Sequence, residues 1–147
     1  NRPEKTVEVL RDGWYTTGDV AALDSDGFLT ITDRLSRFSK IGGEMVPHVK
    51  VEEALQNLLG AAETQFAVTG VPDERKGERL VVLHTVSEEK LKEVQMGLAG
   101  SGLPNLWVPR PNAFFKVEKI PVLGTGKLDL RAIREQAVAL AAVGVAP

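Results

Sequence analysis

The residues best suited to chemistry lie near the end of the chain, in Pro121-Val122-Leu123-Gly124-Thr125-Gly126-Lys127. A lysine at the end of a glycine loop can deliver a compact positive charge to phosphate and carboxylate oxygens. The spacing is not that of a nucleotide P-loop, which needs Gly-x4-Gly-Lys-Ser/Thr between a strand and a helix. Here Pro121 stands at the first glycine position and Leu128 follows the lysine. The plainer alternative for Lys127 is a solvated surface lysine on a flexible turn. Thr17-Gly18-Asp19 offers a carboxylate beside a glycine. Such a carboxylate either faces water or accepts two hydrogen bonds from a sugar diol. Asp24-Ser25-Asp26-Gly27 does not fit a calcium loop, which wants its glycine at the sixth position; it fits a hairpin turn.

A second group of candidates is basic. Arg34, Arg37, Lys40 and Lys50 outnumber Asp33 and Glu44 in the same stretch. They form either a solvated connector or a docking patch for something acidic. Gly42-Gly43 is either a turn or a place where a narrow ligand passes close to backbone. His48 and His84 have no catalytic partner in view and are expected to be structural.

Composition narrows the choice. The 147 residues contain no cysteine, which excludes a disulfide scaffold, a zinc-cysteine site and a cysteine nucleophile. Two histidines cannot build a histidine-rich metal cluster, and no metal site is expected in this chain. With 18 basic and 20 acidic residues, the net charge of −2 argues against a nucleic-acid-coating protein. Apolar residues at 43% and charged residues at 26% suit a globular domain. No apolar run approaches the ~20 residues that span a bilayer. The first residue is Asn1 rather than Met, and the chain is expected to be an excised piece of a longer protein.

The elements that must hold these groups follow from pattern. A β-hairpin is expected over residues 16–33, with Phe28-Leu29-Thr30-Ile31-Thr32 as its return strand. A polar connector spans residues 34–40. Pro47 suits the first turn of a helix that ends at Gly60, with Val51, Leu55, Leu58 and Leu59 on one face. Strands follow over residues 65–71 and 80–86, separated by a charged loop. Ser87 caps a helix carrying Leu91, Val94 and Leu98, and Gly100 and Gly102 end it. Residues 103–111 read as extended, 113–117 as a third strand, and Asp129 or a neighbour caps a last helix. The sum is an α+β domain, a short sheet flanked by helices, behind an N-terminal β-hairpin.

The order of the motifs carries more than any one of them. Gly13-Trp14-Tyr15-Thr16-Thr17-Gly18-Asp19 precedes Asp24-Ser25-Asp26-Gly27-Phe28. Asp33-Arg34-Leu35-Ser36-Arg37-Phe38-Ser39-Lys40-Ile41-Gly42-Gly43-Glu44-Met45-Val46 comes next, and the Pro121–Lys127 run closes the series. Over residues 1–140 the chain resembles the C-terminal part of the adenylate-forming superfamily of acyl-CoA synthetases, luciferases and peptide-synthetase adenylation domains. Within it, the chain is similar to bacterial bifunctional 2-acylglycerophosphoethanolamine acyltransferase/acyl-acyl carrier protein synthetases. Residues 37–46, Lys76-Gly77-Glu78 and the Pro121–Lys127 run suggest this.

The resemblance implies a two-step acid-thiol ligase. ATP with Mg2+ and a fatty acid give an acyl-adenylate and pyrophosphate, and a phosphopantetheine thiol then takes the acyl group. It makes Lys127 the adenylation lysine, bridging carboxylate and α-phosphate. Asp19 holds the ribose hydroxyls and Arg34 helps fix the nucleotide. Ser36 takes the hinge position, where the family more often has Asp or Lys, and Asp33 replaces the usual Gly before the arginine. Gly42 and Gly43 line the pantetheine path. Residues 1–35 become the tail of a large N-terminal domain, which is the chain's main partner, and residues 36–147 the mobile lid.

An acyl carrier protein is the expected acceptor, docking on Arg37, Lys40, Arg75, Lys76 and Arg79. Coenzyme A is the alternative acceptor, in a long-chain acyl-CoA synthetase, and a non-catalytic binding module on the same scaffold is the other. The resemblance implies a cytoplasmic protein that reaches the inner membrane only through its full-length form. The fragment alone is expected to catalyse nothing.

Overall fold

The computed structural model describes residues 2–143. The chain divides into two compact units between Ser36 and Arg37.

In the first unit a short helix α1 (Pro3–Val9) leads into a two-residue ribbon, β1 (Leu10–Arg11) and β2 (Trp14–Tyr15). The helix was not expected. The hairpin was, and it forms from β3 (Asp19–Leu23) and β4 (Leu29–Arg34), antiparallel with a bulge between Val20 and Ala21. Asp24 builds its turn. The carboxylate Oδ1 accepts the backbone N–H of Asp26 at 3.0 Å and of Phe28 at 2.8 Å. Gly27 supplies the positive φ of 86° that the turn requires. No described residue of this unit is buried, and Trp14, Phe28, Leu29 and Ile31 are all exposed.

The second unit is a five-stranded sheet with helices on both faces. Its strands are β5 (Phe38–Ile41), β6 (Glu44–Pro47), β7 (Phe66–Asp73), β8 (Gly77–His84) and β9 (Phe114–Lys116). β8 is central. It pairs antiparallel with β7 along its whole length, with β5 at Ile41–Gly77, and parallel with β9 at its far end. Side chains alternate across the sheet. Phe66, Val68, Leu80 and Val82 point into one core, with Val51 and Leu55 of α2 (His48–Leu59) and Val94 of α3 (Glu88–Gly97). Ala67, Val71, Val81 and Leu83 point into the other, with Ile133, Ala137 and Ala141 of α4 (Leu130–Val143). Burial on both faces is why β8 reads as a near-continuous apolar run.

Most helix ends follow their sequence signals. Gly60 takes the left-handed conformation at φ 67° and closes α2. Ser87 Oγ accepts from the Lys90 N–H to open α3, and Asp129 Oδ1 accepts from Ala132 N–H at 3.0 Å in the first turn of α4.

Four expectations change. The connector over residues 34–40 is a single 3-10 turn followed by β5, which folds back on β6 through Gly42 and Gly43 at φ 57° and 91°. Its strand signal is masked because a polar residue, Ser39, points into the core at 1% exposure. The charged loop between β7 and β8 shrinks to residues 74–76, because Asp73 Oδ1 accepts both the Arg75 and Lys76 N–H groups at 3.0 Å. Residues 105–107 form a 3-10 turn rather than extended chain, and Leu58, placed on the apolar face of α2, is exposed.

Candidate functional site

Lys127 sits at the end of a pinned loop. Lys127 O accepts the Leu123 N–H at 2.7 Å, and Leu123 O accepts the Gly126 N–H at 2.9 Å. Gly126 has φ 81°. A bridge joins Val122 to Leu128, and Pro121 O accepts the Asp129 N–H at 3.0 Å. The loop is therefore fixed at its base by backbone bonds and by the cap of α4. Lys127 is exposed, and among the described residues its ammonium makes no ion pair or side-chain hydrogen bond. A lysine so placed leaves its ammonium open to a ligand.

Asp19 and Arg34 stand opposite each other across β3 and β4. Asp19 Oδ1 lies 2.7 Å from Arg34 Nε, an ion pair whose N–H direction is not aligned for a hydrogen bond. Arg34 N–H donates to Asp33 Oδ1 at 2.7 Å, so Asp33 braces the strand end. The Asp19 carboxylate thus retains accepting capacity beside a cation. Ser36 is exposed in the 3-10 turn that ends the first unit.

The basic residues separate. Arg37 is committed internally: its guanidinium grips Glu52 with Nη2–Oε2 at 2.6 Å and Nη1–Oε1 at 3.4 Å, both side chains largely covered. Glu52 Oε1 also accepts the Val68 N–H at 2.8 Å. Arg37 is therefore not a surface docking residue in this structure. Lys40 is exposed, and its N–H donates to Glu78 Oε2 at 2.8 Å. Arg75, Lys76 and Arg79 come together, as a charge cluster in sequence suggested. With Arg110 they line a groove of about 480 Å³ in which Asp73 is the one carboxylate. The backbone N–H groups of Lys76 and Arg75 hold the Asp73 carboxyl below its usual range, with the charges of Arg79 and Arg110 adding. Four cations around one anion suit a multiply charged phosphate or carboxylate ligand.

Arg110 was missed from sequence. Its signal is slight, since it is the lone cation of the proline-rich run over residues 103–111. Gly42 and Gly43 face open space: an added Cβ at either would meet nothing within 4 Å. Positive φ, not crowding inside the chain, makes them glycines. His48 and His84 are buried at 3% and 2% exposure, and His48 Nε2 lies 2.7 Å from Ser39 Oγ. Both side chains of this Ser–His pair are buried, and the pair serves the core.

No protein-family model matches the chain. Curated relatives do. The chain is 34% identical over 137 residues to the long-chain-fatty-acid–CoA ligase FadD13 of Mycobacterium tuberculosis, an alignment covering 92% of this chain and 26% of that one. It is 36% identical over 139 residues to the long-chain-fatty-acid–CoA ligase of Bacillus subtilis, covering 92% and 24%. Among solved structures, the Mycobacterium tuberculosis fatty acyl CoA synthetase superposes with a TM-score of 0.60 at 33% identity, covering 95% of this chain and 27% of that one. ATP-bound MatB from Rhodopseudomonas palustris gives 0.67 at 26% identity, covering 91% and 26%. The chain spans about a quarter of the length of the curated relatives it matches. Its small α+β architecture matches that of the C-terminal domain of adenylate-forming enzymes.

Proposed function

We propose that the chain is the C-terminal lid portion of an ATP-dependent acid–CoA ligase acting on a fatty acid. The observation that carries this reading is the free, exposed Lys127 ammonium on a loop fixed at its base, in a chain similar over nine-tenths of its length to fatty-acid–CoA ligases. In the first step the carboxylate oxygen attacks the α-phosphorus of ATP and pyrophosphate leaves. Lys127 meets the negative charge that gathers between carboxylate and α-phosphate. Asp19 accepts from the ribose hydroxyls, and Arg34 orients that carboxylate and adds charge near the nucleotide. In the second step the thiol sulfur attacks the acyl carbon and AMP leaves. Gly42 and Gly43 give the thiol's arm a side-chain-free passage. Ser36 absorbs the rotation that exchanges the two steps. The nucleotide's Mg2+ would be held mainly by the N-terminal domain that the resemblance implies.

Coenzyme A is favoured over an acyl carrier protein as acceptor. The relatives named above are CoA ligases, and the groove of Arg75, Lys76, Arg79 and Arg110 matches a phosphate-rich small molecule. The docking face drawn for a carrier protein loses Arg37 to its pair with Glu52. Neither the relatives nor the groove supports an acyltransferase role.

The test is fatty-acid-dependent ATP–pyrophosphate exchange by the full-length protein that contains this chain, beside its Lys127→Ala variant. We expect exchange that falls by about 10²-fold or more, the cost of removing one transition-state donor. No exchange in the wild type with any fatty acid would overturn the substrate class. Exchange that survives the substitution would remove Lys127 from the chemistry.

A further inference from the structure

The turn at Gly42-Gly43 is held from two sides. On one side Lys76 O accepts the Gly42 N–H at 2.9 Å. On the other, Glu44 Oε1 accepts the indole N–H of Trp107 at 2.8 Å, a bond between residues 63 positions apart. Trp107 ends a 3-10 turn closed by the bond from its own N–H to Pro104 O, and it packs against the core to which α2 and α3 contribute. The segments that make these two bonds are also two walls of the basic groove: Lys76 with Arg75 and Arg79, and Asn105 and Leu106 with Arg110. Ile41, one residue before the turn, lines the groove as well.

The cation groove and the glycine turn are therefore fixed relative to each other, and Glu44–Trp107 is the side-chain bond that ties the turn to the Asn105–Arg110 wall. We propose that Glu44 and Trp107 are a positioning pair for thiol transfer. They set the glycine turn at a constant reach from the phosphate-binding cations, so that a phosphorylated thiol anchored in the groove is aimed across the turn. This inference rests on the acid–CoA ligase reading. Neither side chain touches the reacting atoms. Adenylation, which uses Lys127 on a different loop, does not depend on them.

The experiment uses the full-length protein with a fatty acid, ATP and coenzyme A. Trp107→Phe keeps the ring and removes the donor; Glu44→Ala removes the acceptor; Glu44→Gln keeps an oxygen acceptor. ATP–pyrophosphate exchange and acyl-CoA formation are measured separately for each, with kcat and KM for coenzyme A. We expect exchange within about twofold of wild type in all three. Acyl-CoA formation should fall about tenfold in kcat/KM for Trp107→Phe and Glu44→Ala, and Glu44→Gln should recover most of it. Equal loss in both half-reactions would make the pair merely structural and overturn the proposal. Unchanged acyl-CoA kinetics in Trp107→Phe and Glu44→Ala would overturn it as well. A wild type that makes adenylate but no acyl-CoA would instead sink the choice of thiol, and the positioning role with it.

Discussion

Acid should loosen the second unit through His48. The ring is 3% exposed and its Nε2 lies 2.7 Å from Ser39 Oγ. Burial first, then the charges of Arg37 and Arg134, lower its pKa from 6.5 to about 4. Unfolding returns the imidazole to its ordinary value. Between the two values the unfolded chain takes up a proton that the folded chain refuses. Stability contributed by the neutral ring is therefore complete above about pH 6.5 and is lost as pH falls towards 4. Each pH unit inside that window costs at most about 1.4 kcal/mol, so acidification from pH 7 to pH 5 removes about 2 kcal/mol. His84 acts in the same direction, because burial lowers its pKa too, against a backbone hydrogen bond at Val86 that raises it. The assay is urea unfolding followed by Trp107 emission. Trp107 is half-buried against the core, whereas Trp14 is already 81% exposed and reports little. At about 2 kcal/mol per molar urea, the midpoint should drop by about 1 M between pH 7 and pH 5. His48→Gln keeps an amide within reach of Ser39 and cannot titrate, so it should remove His48's share of the slope. A wild-type midpoint that does not move over this range, or a glutamine variant with an undiminished slope, would show that the folded imidazole takes its proton freely.

Two further substitutions test the polar core beside it. Glu52→Ala leaves the Arg37 guanidinium covered and unpaired and takes the acceptor from Val68 N–H, and should destabilise by about 3–5 kcal/mol in urea or thermal unfolding. A loss under about 1 kcal/mol would mean that the pair behaves as an exposed one. Gly70→Ala would drive a Cβ into Ser39 Oγ and to 3.1 Å from Glu78 Oε1. It should cost about 1–3 kcal/mol, and adding Ser39→Ala should return part of that; no cost in the single variant would refute the close approach of β5 to β7.

Much of the second unit was legible because local and tertiary demands agree there. The apolar run of β8 lies between two helical layers, Gly60 ends α2, and Ser87 and Asp129 open their helices with the bonds their types suggest. What was not legible depends on partners far off in sequence. β5 is short, and its central residues Ser39 and Lys40 are polar. Its strand character comes from pairing with β6 and from a buried hydrogen bond to His48 nine residues on. Arg37 looks like a surface cation until Glu52 closes on it. Arg110 looks isolated until the 74–79 segment arrives across the groove. Lys127 and Asp19 are nominated by the order of several motifs along the chain, whereas the groove is made by two segments that meet only in the fold.

The polar contacts at the start of the second unit have one more use. Three of its first four residues are each tied to another element: Arg37 to Glu52 and Ser39 to His48, both on α2, and Lys40 N–H to Glu78 on β8. The chain is thus built into the sheet and helix from Arg37 onward. Ser36, one residue earlier, is exposed, and its hydroxyl makes no hydrogen bond among the described residues. A buried ion pair offers little net stability over well-packed apolar residues, so stability alone is a weak reason to keep Arg37–Glu52. Its placement supplies a better one. In the proposed reading, with Ser36 as the hinge, it would keep a backbone rotation at the boundary from spreading into β5 and the glycine turn beyond it. A small side chain suffices at such a position, because the torsional freedom belongs to the backbone and the stiffness to the residue that follows.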